Sequence, residues 1–207
     1  MEQLIQWAID HVWEIIGTVS GLIYLYLEVK EVVWLWPVGI ITSGMYVVVF
    51  YDSKFYADMV LSIYYVIISI YGWYMWLYGN SNSKVDKELA PLRISVTPSH
   101  LWKYLFGAFL AMFLLMVWVL KSFTDSPVPI GDAFVTALSI VATWMLARKY
   151  IEMWWLWVLV NAVSLCLFVW KGLYPTSILF LFYTSMAVVG YYHWKRRMNR
   201  VVQNTVV

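Results

Sequence analysis

Charged residues, cysteines and the motifs of soluble enzymes are all scarce in this chain. Only 13% of its 207 residues are Asp, Glu, Lys or Arg, about half the share found in soluble proteins. The single cysteine, Cys166, excludes an intramolecular disulfide framework. No Walker, HExxH or GxSxG motif occurs, so the sequence indicates neither nucleotide hydrolysis nor protease or hydrolase chemistry. We expect no enzyme activity, no cofactor and no nucleic-acid partner.

No charged residue lies at the centre of a long apolar stretch. The acidic and basic residues nearest to such centres lie close to their ends: Glu14, Glu28, Asp58, Asp132 and Lys171. Carriers that couple to protons usually need a titratable group buried in the membrane, so the pattern disfavours proton coupling. The histidines also fall near the ends, on both sides: His11, His100 and His193. Because metal ligands must converge on one point, we expect no metal site.

Apolar residues dominate the rest of the sequence, which is 63% hydrophobic and 19% aromatic. This composition predicts an all-α membrane protein in which residues 1–207 form a single transmembrane domain. Seven spans of suitable length are predicted: 12–29, 32–51, 59–79, 101–120, 130–147, 153–170 and 173–194. Only 15 uncharged residues separate Asp132 from Arg148. The fifth span must therefore include Asp132 near one interface, or cross where the bilayer is thinner.

The distribution of lysine and arginine predicts the orientation of the chain. Eleven of these residues fall on the side of the C-terminus and of the longest linker, 80–100, and three on the other side. The positive-inside rule then places the C-terminus in the cytoplasm and the N-terminus outside. The linker is polar with two prolines, which predicts an exposed loop. The N-terminus has no basic residue before its apolar run, so we expect no cleaved signal peptide.

An internal repeat relates the first three spans to the last three. With a shift of 121 residues, Glu31, Trp34, Trp36 and Ser43 match Glu152, Trp155, Trp157 and Ser164. With a shift of 118, Tyr56, Tyr65, Gly72 and Trp76 match Tyr174, Tyr183, Gly190 and Trp194. Residues 12–79 and 130–194 would then be parallel three-helix repeats joined by a linker helix at 101–120. Carriers built in this 3+1+3 way bind substrate near mid-membrane, between the repeats.

Three predicted spans each carry a stripe of aromatic and small polar residues at helical spacing. In the sixth span the stripe contains an amide at mid-membrane. Because exposure of an amide to lipid is energetically unfavourable, this stripe should face protein or a water-filled path. That stripe is Trp154, Trp157, Asn161, Ser164 and Phe168. The third span aligns Asp58, Ser62, Tyr65, Ser69, Gly72 and Trp76, and the seventh aligns Thr176, Phe180, Tyr183, Ala187, Gly190 and Trp194.

Together these stripes predict an aromatic slot with a few neutral hydrogen-bonding groups. Such a slot suits a flat heterocycle, and cation–π attraction favours a positively charged one. The candidate binding residues are Asn161, Trp157, Trp154, Ser62, Tyr65, Ser164, Trp36, Tyr183 and Thr176. Structural roles are the alternative, because Trp and Tyr near span ends often form interfacial belts. Serine in a span often serves only close helix packing.

The chain resembles the PnuC-type family of vitamin transporters over essentially all seven spans. The resemblance lies in Trp154-xx-Trp157-xxx-Asn161, which is similar to the family's WxxWxxxN/D pattern, in KGLYPTS (171–177) and in YGWYMW (71–76). It implies facilitated import of an unphosphorylated B-vitamin across the bacterial inner membrane, with trapping by a cytosolic kinase. It also implies a homotrimer in membrane lipid and a SWEET-like fold. A membrane binding subunit that needs an ATPase partner is the alternative class.

The substrate within that family is less sharply indicated. Nicotinamide riboside members tend to carry glutamine where this chain has Ser62, and asparagine near Thr42. The stretches YLYLE (24–28), WLWPVGI (34–40) and YAD (56–58) resemble the thiamine-transporting branch instead. Asparagine at the last position of the WxxWxxxN/D pattern, which is Asn161 here, is instead associated with the members that transport nicotinamide riboside. Both vitamins carry a cationic aromatic ring, so the slot does not separate them; the resemblance favours thiamine, with nicotinamide riboside as the alternative.

Overall fold

Seven helices make up the computed structural model, which describes the backbone of residues 12–52, 56–79 and 92–205 and the side chains of 19–52, 59–79 and 92–200. They are α1 (Val12–Val29), α2 (Leu35–Asp52), α3 (Tyr56–Tyr78), α4 (Leu101–Phe123), α5 (Pro129–Ala147), α6 (Met153–Trp170) and α7 (Tyr174–Thr205). The predicted all-α class is confirmed. Apart from an isolated bridge between Ser95 and Tyr150, the described residues contain no β-structure.

The helices follow the predicted spans closely. Helix bounds lie within three residues of every predicted bound except the last, because α7 continues to Thr205, far beyond residue 194. Five helices, α2 to α6, are long and apolar enough to cross a membrane. In α1 the described apolar stretch is shorter, Val19–Val29. The helix of the fifth span does include Asp132, which accepts a hydrogen bond from Ser126 Oγ at 2.6 Å and lies 3.5 Å from Lys171 Nζ.

Helix contacts place α2 against α3 and α6 against α7 most extensively, with α4 on α5 and α5 on α6. Two further contacts join the first three helices to the last three, since α3 packs on α5 and α1 packs on α7. The hydrophobic core lies towards one end of the bundle, where α2 and α6 begin. That end also carries the basic C-terminal part of α7. We call it the basic end.

The segment 92–100 is an irregular, partly exposed loop, as its composition predicts, and hydrogen bonds tie it to the rest of the fold. The backbone N–H of Ser95 donates to the Lys149 carbonyl at 3.1 Å, and Ile151 N–H donates to the Ser95 carbonyl at 3.0 Å. Thr97 is buried and donates to Glu152 Oε2 through both its backbone N–H, at 2.9 Å, and its hydroxyl, at 2.7 Å. The predicted loop agrees with this segment, although it is held along the α5–α6 turn and does not project freely. Residues 80–91 of the same linker lie outside the described residues.

Candidate functional site

Four tryptophans with no exposed surface form the centre of the core at the basic end: Trp36, Trp76, Trp154 and Trp194. Their ring centroids form a chain, with 5.4 Å from Trp36 to Trp76, 6.3 Å from Trp76 to Trp194 and 5.6 Å from Trp194 to Trp154. All three contacts are edge-to-face, the geometry that the aromatic quadrupole favours. We call this set the tryptophan cluster.

The cluster depends on two glycines. A Cβ atom added to Gly72 would overlap the indole ring of Trp36, and one added to Gly190 would overlap that of Trp154. A residue without a side chain is therefore required at both positions. The Trp36–Gly72 contact and the Trp154–Gly190 contact are the same arrangement, repeated 118 residues later in the chain.

The two inner members of the cluster, Trp76 and Trp194, are fixed by reciprocal hydrogen bonds. Trp76 Nε1 on α3 donates to the Leu146 carbonyl on α5 at 3.1 Å. Trp194 Nε1 on α7 donates to the carbonyls of Glu28 and Val29 on α1, at 3.3 and 3.2 Å. Leu146 follows Glu28 by the same 118 residues. The hydrogen bond from α3 to α5 is therefore equivalent to the hydrogen bond from α7 to α1.

These environments correct the predicted register of the repeat. Trp36 corresponds to Trp154, which packs against the matching glycine, and not to Trp157 as a shift of 121 predicted. A single shift of 118 residues therefore relates the two repeats along their whole length. With this shift Ser43 corresponds to Asn161. Thr42, which was considered as a specificity position, is exposed on α2, whereas Ser43 is half-buried.

Ion pairs connect the helices at the basic end, next to the tryptophan cluster. Lys149 Nζ lies 3.1 Å from Glu31 Oε2, with both side chains almost fully buried, and 4.4 Å from the Trp76 ring centroid. Arg197 reaches the other Glu31 oxygen at 3.4 Å. Burial lowers the pKa of Lys149 below its ordinary value, and the Glu31 carboxylate opposes that shift. The α1–α2 turn and the α5–α6 turn are thus held together at the basic end.

The predicted stripe of α6 faces protein, as expected. Asn161 and Ser164 are buried, and Trp157 is half-buried and packs against the core. From the other helices, Ser62 is buried. The remaining candidates on α3 and α7 are half-buried: Tyr65, Tyr183 and Thr176. The side chain of Asp58, predicted on the α3 stripe, lies outside the described residues.

The nine predicted site residues do not all surround one point. Along α6, Asn161 follows Trp154 by seven residues, about 10 Å at the α-helical rise. On α7, Thr176 precedes Trp194 by 18 residues, about 27 Å, so Thr176 lies near the end opposite the cluster. Trp36 and Trp154 therefore lie at the basic end of this set, and we call this level the floor. Trp157, Asn161, Ser164, Tyr65, Tyr183 and Ser62 stand at successive levels above that floor.

Several indole N–H groups at this floor have no partner. Among the described residues, the buried Nε1 atoms of Trp36, Trp154 and Trp157 make no hydrogen bond, in contrast to those of Trp76 and Trp194. An unpaired buried donor costs about 1–3 kcal/mol, which a ligand oxygen can recover. These three groups make the region suited to binding a molecule with several acceptors.

Sequence reasoning assigned no site residue to α1, although one face of this helix lines the same region. The hydroxyl of Tyr183 approaches Gly21, and the Tyr24 ring packs beside Gly39 of α2 and Ser69 of α3. Tyr24 also lies close enough to Glu28 and Tyr65 to interact electrostatically with both. The available signal was the spacing of Gly21, Tyr24 and Glu28, which places them on one helix face.

Glu28 also corrects the expectation that the bundle holds no buried titratable group. Its side chain is buried, and its Oε1 atom has no hydrogen-bond partner among the described residues. Its position near a span end does not indicate this burial. The backbone carbonyl of Glu28 accepts a hydrogen bond from Trp194, where α7 packs on α1. No group of three or more potential metal ligands occurs within the described part of the chain.

A family model described as "Nicotinamide mononucleotide transporter" matches residues 11–196. The chain is 28% identical to the nicotinamide riboside transporter PnuC of Escherichia coli (strain K12), over 87% of this chain and 84% of that protein. It is 26% identical to the riboflavin/roseoflavin transporter RibM of Streptomyces davaonensis, over 91% and 87%.

A crystal structure of the vitamin B3 transporter PnuC has the same fold, with a TM-score of 0.68 and 21% identity, over 96% of this chain and 87% of that one. The family predicted from the WxxWxxxN pattern is confirmed. Its members compared here are named as transporters, which agrees with a chain that is not an enzyme. The chain therefore belongs to the PnuC-type family of multi-pass membrane vitamin transporters.

Proposed function

We propose that this protein imports nicotinamide riboside across the bacterial inner membrane by facilitated diffusion. The relatives above are named for nicotinamide riboside and riboflavin. The thiamine preference inferred from the first half of the sequence gains no support from them. Nicotinamide riboside combines a flat cationic ring, a carboxamide and ribose hydroxyls, so it can use both the aromatic surfaces and the polar groups of the slot.

The observation that carries the proposal is the combination of unpaired indole N–H groups with a buried amide on one helix. Trp154 and Trp157 each leave Nε1 free among the described residues, and Asn161 stands one turn above Trp157. Ribose and carboxamide oxygens can accept from the indoles, and Asn161 can both donate to and accept from a carboxamide. An apolar membrane solute would leave all of these groups unsatisfied.

We assign the remaining candidates by their level in the bundle. Tyr65 and Tyr183 present aromatic faces to a cationic ring. Ser164 supplies a hydroxyl one turn from Asn161, and Ser62 supplies one at a level further from the floor. Trp36 closes the floor together with Trp154. Thr176 lies too far from this floor to contact the same small molecule. It is better placed on the entry path from the opposite end.

The parallel 3+1+3 repeat with seven crossings is part of the proposal. Its support is that four independent features recur at a shift of 118 residues: the Trp–Gly contacts, the indole–carbonyl bonds, the left-handed turn residues and the α3–α5 and α1–α7 packing. Residues 12–79 and 130–194 would be the repeats and 101–120 the linker. Rocking of the two repeats against each other would expose the slot to each side of the membrane in turn.

Orientation and assembly complete the proposal. The basic end would face the cytoplasm and the N-terminus the outside, in line with the lysine and arginine distribution. Three copies in membrane lipid would form a homotrimer, as the family resemblance implies. Because no energy source is invoked, net uptake would depend on a cytosolic kinase that phosphorylates the vitamin.

Uptake into liposomes that contain only the purified protein tests the proposal. Nicotinamide riboside, thiamine and riboflavin are supplied separately, with the membrane potential held at zero. We expect nicotinamide riboside to enter until the two sides are equal, without accumulation. Binding without any uptake would favour a subunit that needs an ATPase partner, and uptake of thiamine alone would restore the substrate that the first-half motifs favoured.

A variant pair ties the activity to the slot. Asn161→Leu should abolish uptake while expression and melting temperature persist, since leucine can fill the buried space but cannot form hydrogen bonds. Ser185→Ala, on the exposed face of α7, should transport normally. Unchanged uptake by Asn161→Leu would remove Asn161 from the site.

A further inference from the structure

We propose that Glu28 is the counter-ion of the substrate's cationic ring and so selects cationic over neutral vitamins. This inference rests on the proposed function, because it assumes a positively charged substrate in the slot above the tryptophan cluster. It concerns α1, a helix to which the WxxWxxxN pattern assigns no role.

The first observation is that the side chain of Glu28 is buried without a compensating positive charge among the described residues. The Glu28 side chain is 5% exposed, and Oε1 has no hydrogen-bond partner among the described residues. None of the ion pairs among the described residues includes Glu28. Two cations of the basic end, Lys149 and Arg197, both bind Glu31 instead. An ionised carboxylate in such a place is costly unless a cation joins it.

The position of Glu28 relative to the slot is the second observation. Its backbone carbonyl accepts the hydrogen bond of Trp194, so the residue stands at the level of the tryptophan cluster. Tyr24 lies one turn closer to mid-membrane on the same face of α1, where its ring lies beside Gly39. Glu28 is therefore on the face of α1 that meets α2, at the level just below Tyr24.

Comparison with the matching position in the second half shows that the fold does not require an acid here. Leu146 accepts the equivalent bond from Trp76 through its backbone carbonyl, with an apolar side chain that is fully buried. The backbone contact is thus independent of the side chain. Glutamate replaces an apolar residue on one side of the cluster only, which marks a role other than packing.

Charge on the ligand decides how much Glu28 contributes. A pyridinium ring gains charge attraction from the carboxylate in addition to the cation–π attraction of Tyr65. A neutral flavin gains neither and would leave the carboxylate without a partner. Glu28 would therefore favour charged vitamins and add nothing to the binding of neutral ones.

The test compares nicotinamide riboside with its reduced 1,4-dihydro form, which has the same groups but no ring charge. Dissociation constants are measured by calorimetry on the purified full chain and on Glu28→Gln and Glu28→Leu. We expect the wild type to prefer the cation. Both variants should weaken cation binding by at least about 30-fold, as for removal of one partner of a buried charge pair. Binding of the reduced form should stay equal or improve.

A control and the alternative outcomes keep the two proposals separate. Glu152→Gln, which alters another acid at the basic end that binds Thr97, should leave both affinities unchanged. If Glu28→Gln binds nicotinamide riboside like the wild type, the role of Glu28 is overturned and the proposed substrate stands. If the wild type binds only thiamine, the proposed substrate fails, and loss of thiamine binding in Glu28→Gln would still support the counter-ion. Binding of riboflavin alone, or of no cationic vitamin, would overturn both.

Discussion

Glu31 and Lys149 form a buried ion pair between two turns that are 118 residues apart in the chain, and both adopt the left-handed backbone conformation. Their φ angles are 55° and 52°, values that non-glycine residues rarely adopt. The same unusual turn therefore begins after α1 and after α5. The side chains of the two turn residues meet, and the ion pair joins the first three helices to the last three.

Removal of one partner of this pair should strongly destabilise the protein. Lys149→Met leaves the Glu31 carboxylate buried with only the half-exposed Arg197 as a partner. We expect a loss of about 3–5 kcal/mol, as for other buried charges that lose their partner. Thermal unfolding in detergent, followed by tryptophan fluorescence, measures this loss.

The double variant Glu31→Gln/Lys149→Met separates charge from packing. It carries no uncompensated charge, so it should be more stable than Lys149→Met alone. A double variant that is at least as unstable as the single one would show that Lys149 stabilises the fold through its packing on Trp76 and not through the ion pair.

Gly72 and Gly190 should tolerate no side chain. Gly72→Ala and Gly190→Ala would each force an indole ring of the tryptophan cluster to move, at about 1–3 kcal/mol for overpacking. Gly44→Ala on α2 is the matched control, because nothing lies within 4 Å of its added Cβ. That variant should match or slightly exceed the wild type in melting temperature. Equal behaviour of all three variants would contradict the close ring–backbone packing.

The sequence predicted the helices well because a membrane span depends on a local property. A run of apolar residues between charges sets its own length, and even the short fifth span was placed with Asp132 in its first turn. The α6 stripe was also predicted, since an amide between tryptophans at helical spacing has to face protein. Both features can be read within about 20 consecutive residues.

The features that the sequence missed depend on contacts between distant parts of the chain. The sequence comparison matched Trp36 with Trp157, and only the packing on Gly190 identifies Trp154 as the equivalent residue. Glu28 lies near a helix end, and its burial depends on the packing of α1 with α7, which follows more than 140 residues later. The segment 92–100 has the composition of a loop, and composition gives no information on backbone hydrogen bonds.

Glu152 should hold the segment 92–100 against the α5–α6 turn. Glu152→Ala removes the acceptor for both the backbone N–H and the hydroxyl of Thr97, at about 1.5–3 kcal/mol for each bond to a charged group. We expect faster amide hydrogen exchange in 92–100, while exchange in α6 stays slow. Thr97→Val, which keeps the backbone bond, should produce a smaller effect in the same direction. Unchanged exchange in both variants would mean that the backbone bonds of Ser95 alone hold the segment.

Two tryptophan-to-phenylalanine variants should separate structural from substrate-binding indoles. Trp194→Phe loses the bonds from Nε1 to α1, so we expect about 0.5–1.5 kcal/mol less stability and little direct change in ligand affinity. Trp157→Phe loses no hydrogen bond within the described structure, because its Nε1 is unpaired. It should melt like the wild type yet bind nicotinamide riboside several-fold more weakly. Calorimetry measures ligand affinity and thermal unfolding measures stability on the same two preparations. Lower stability with unchanged affinity in Trp157→Phe would assign Trp157 a structural role.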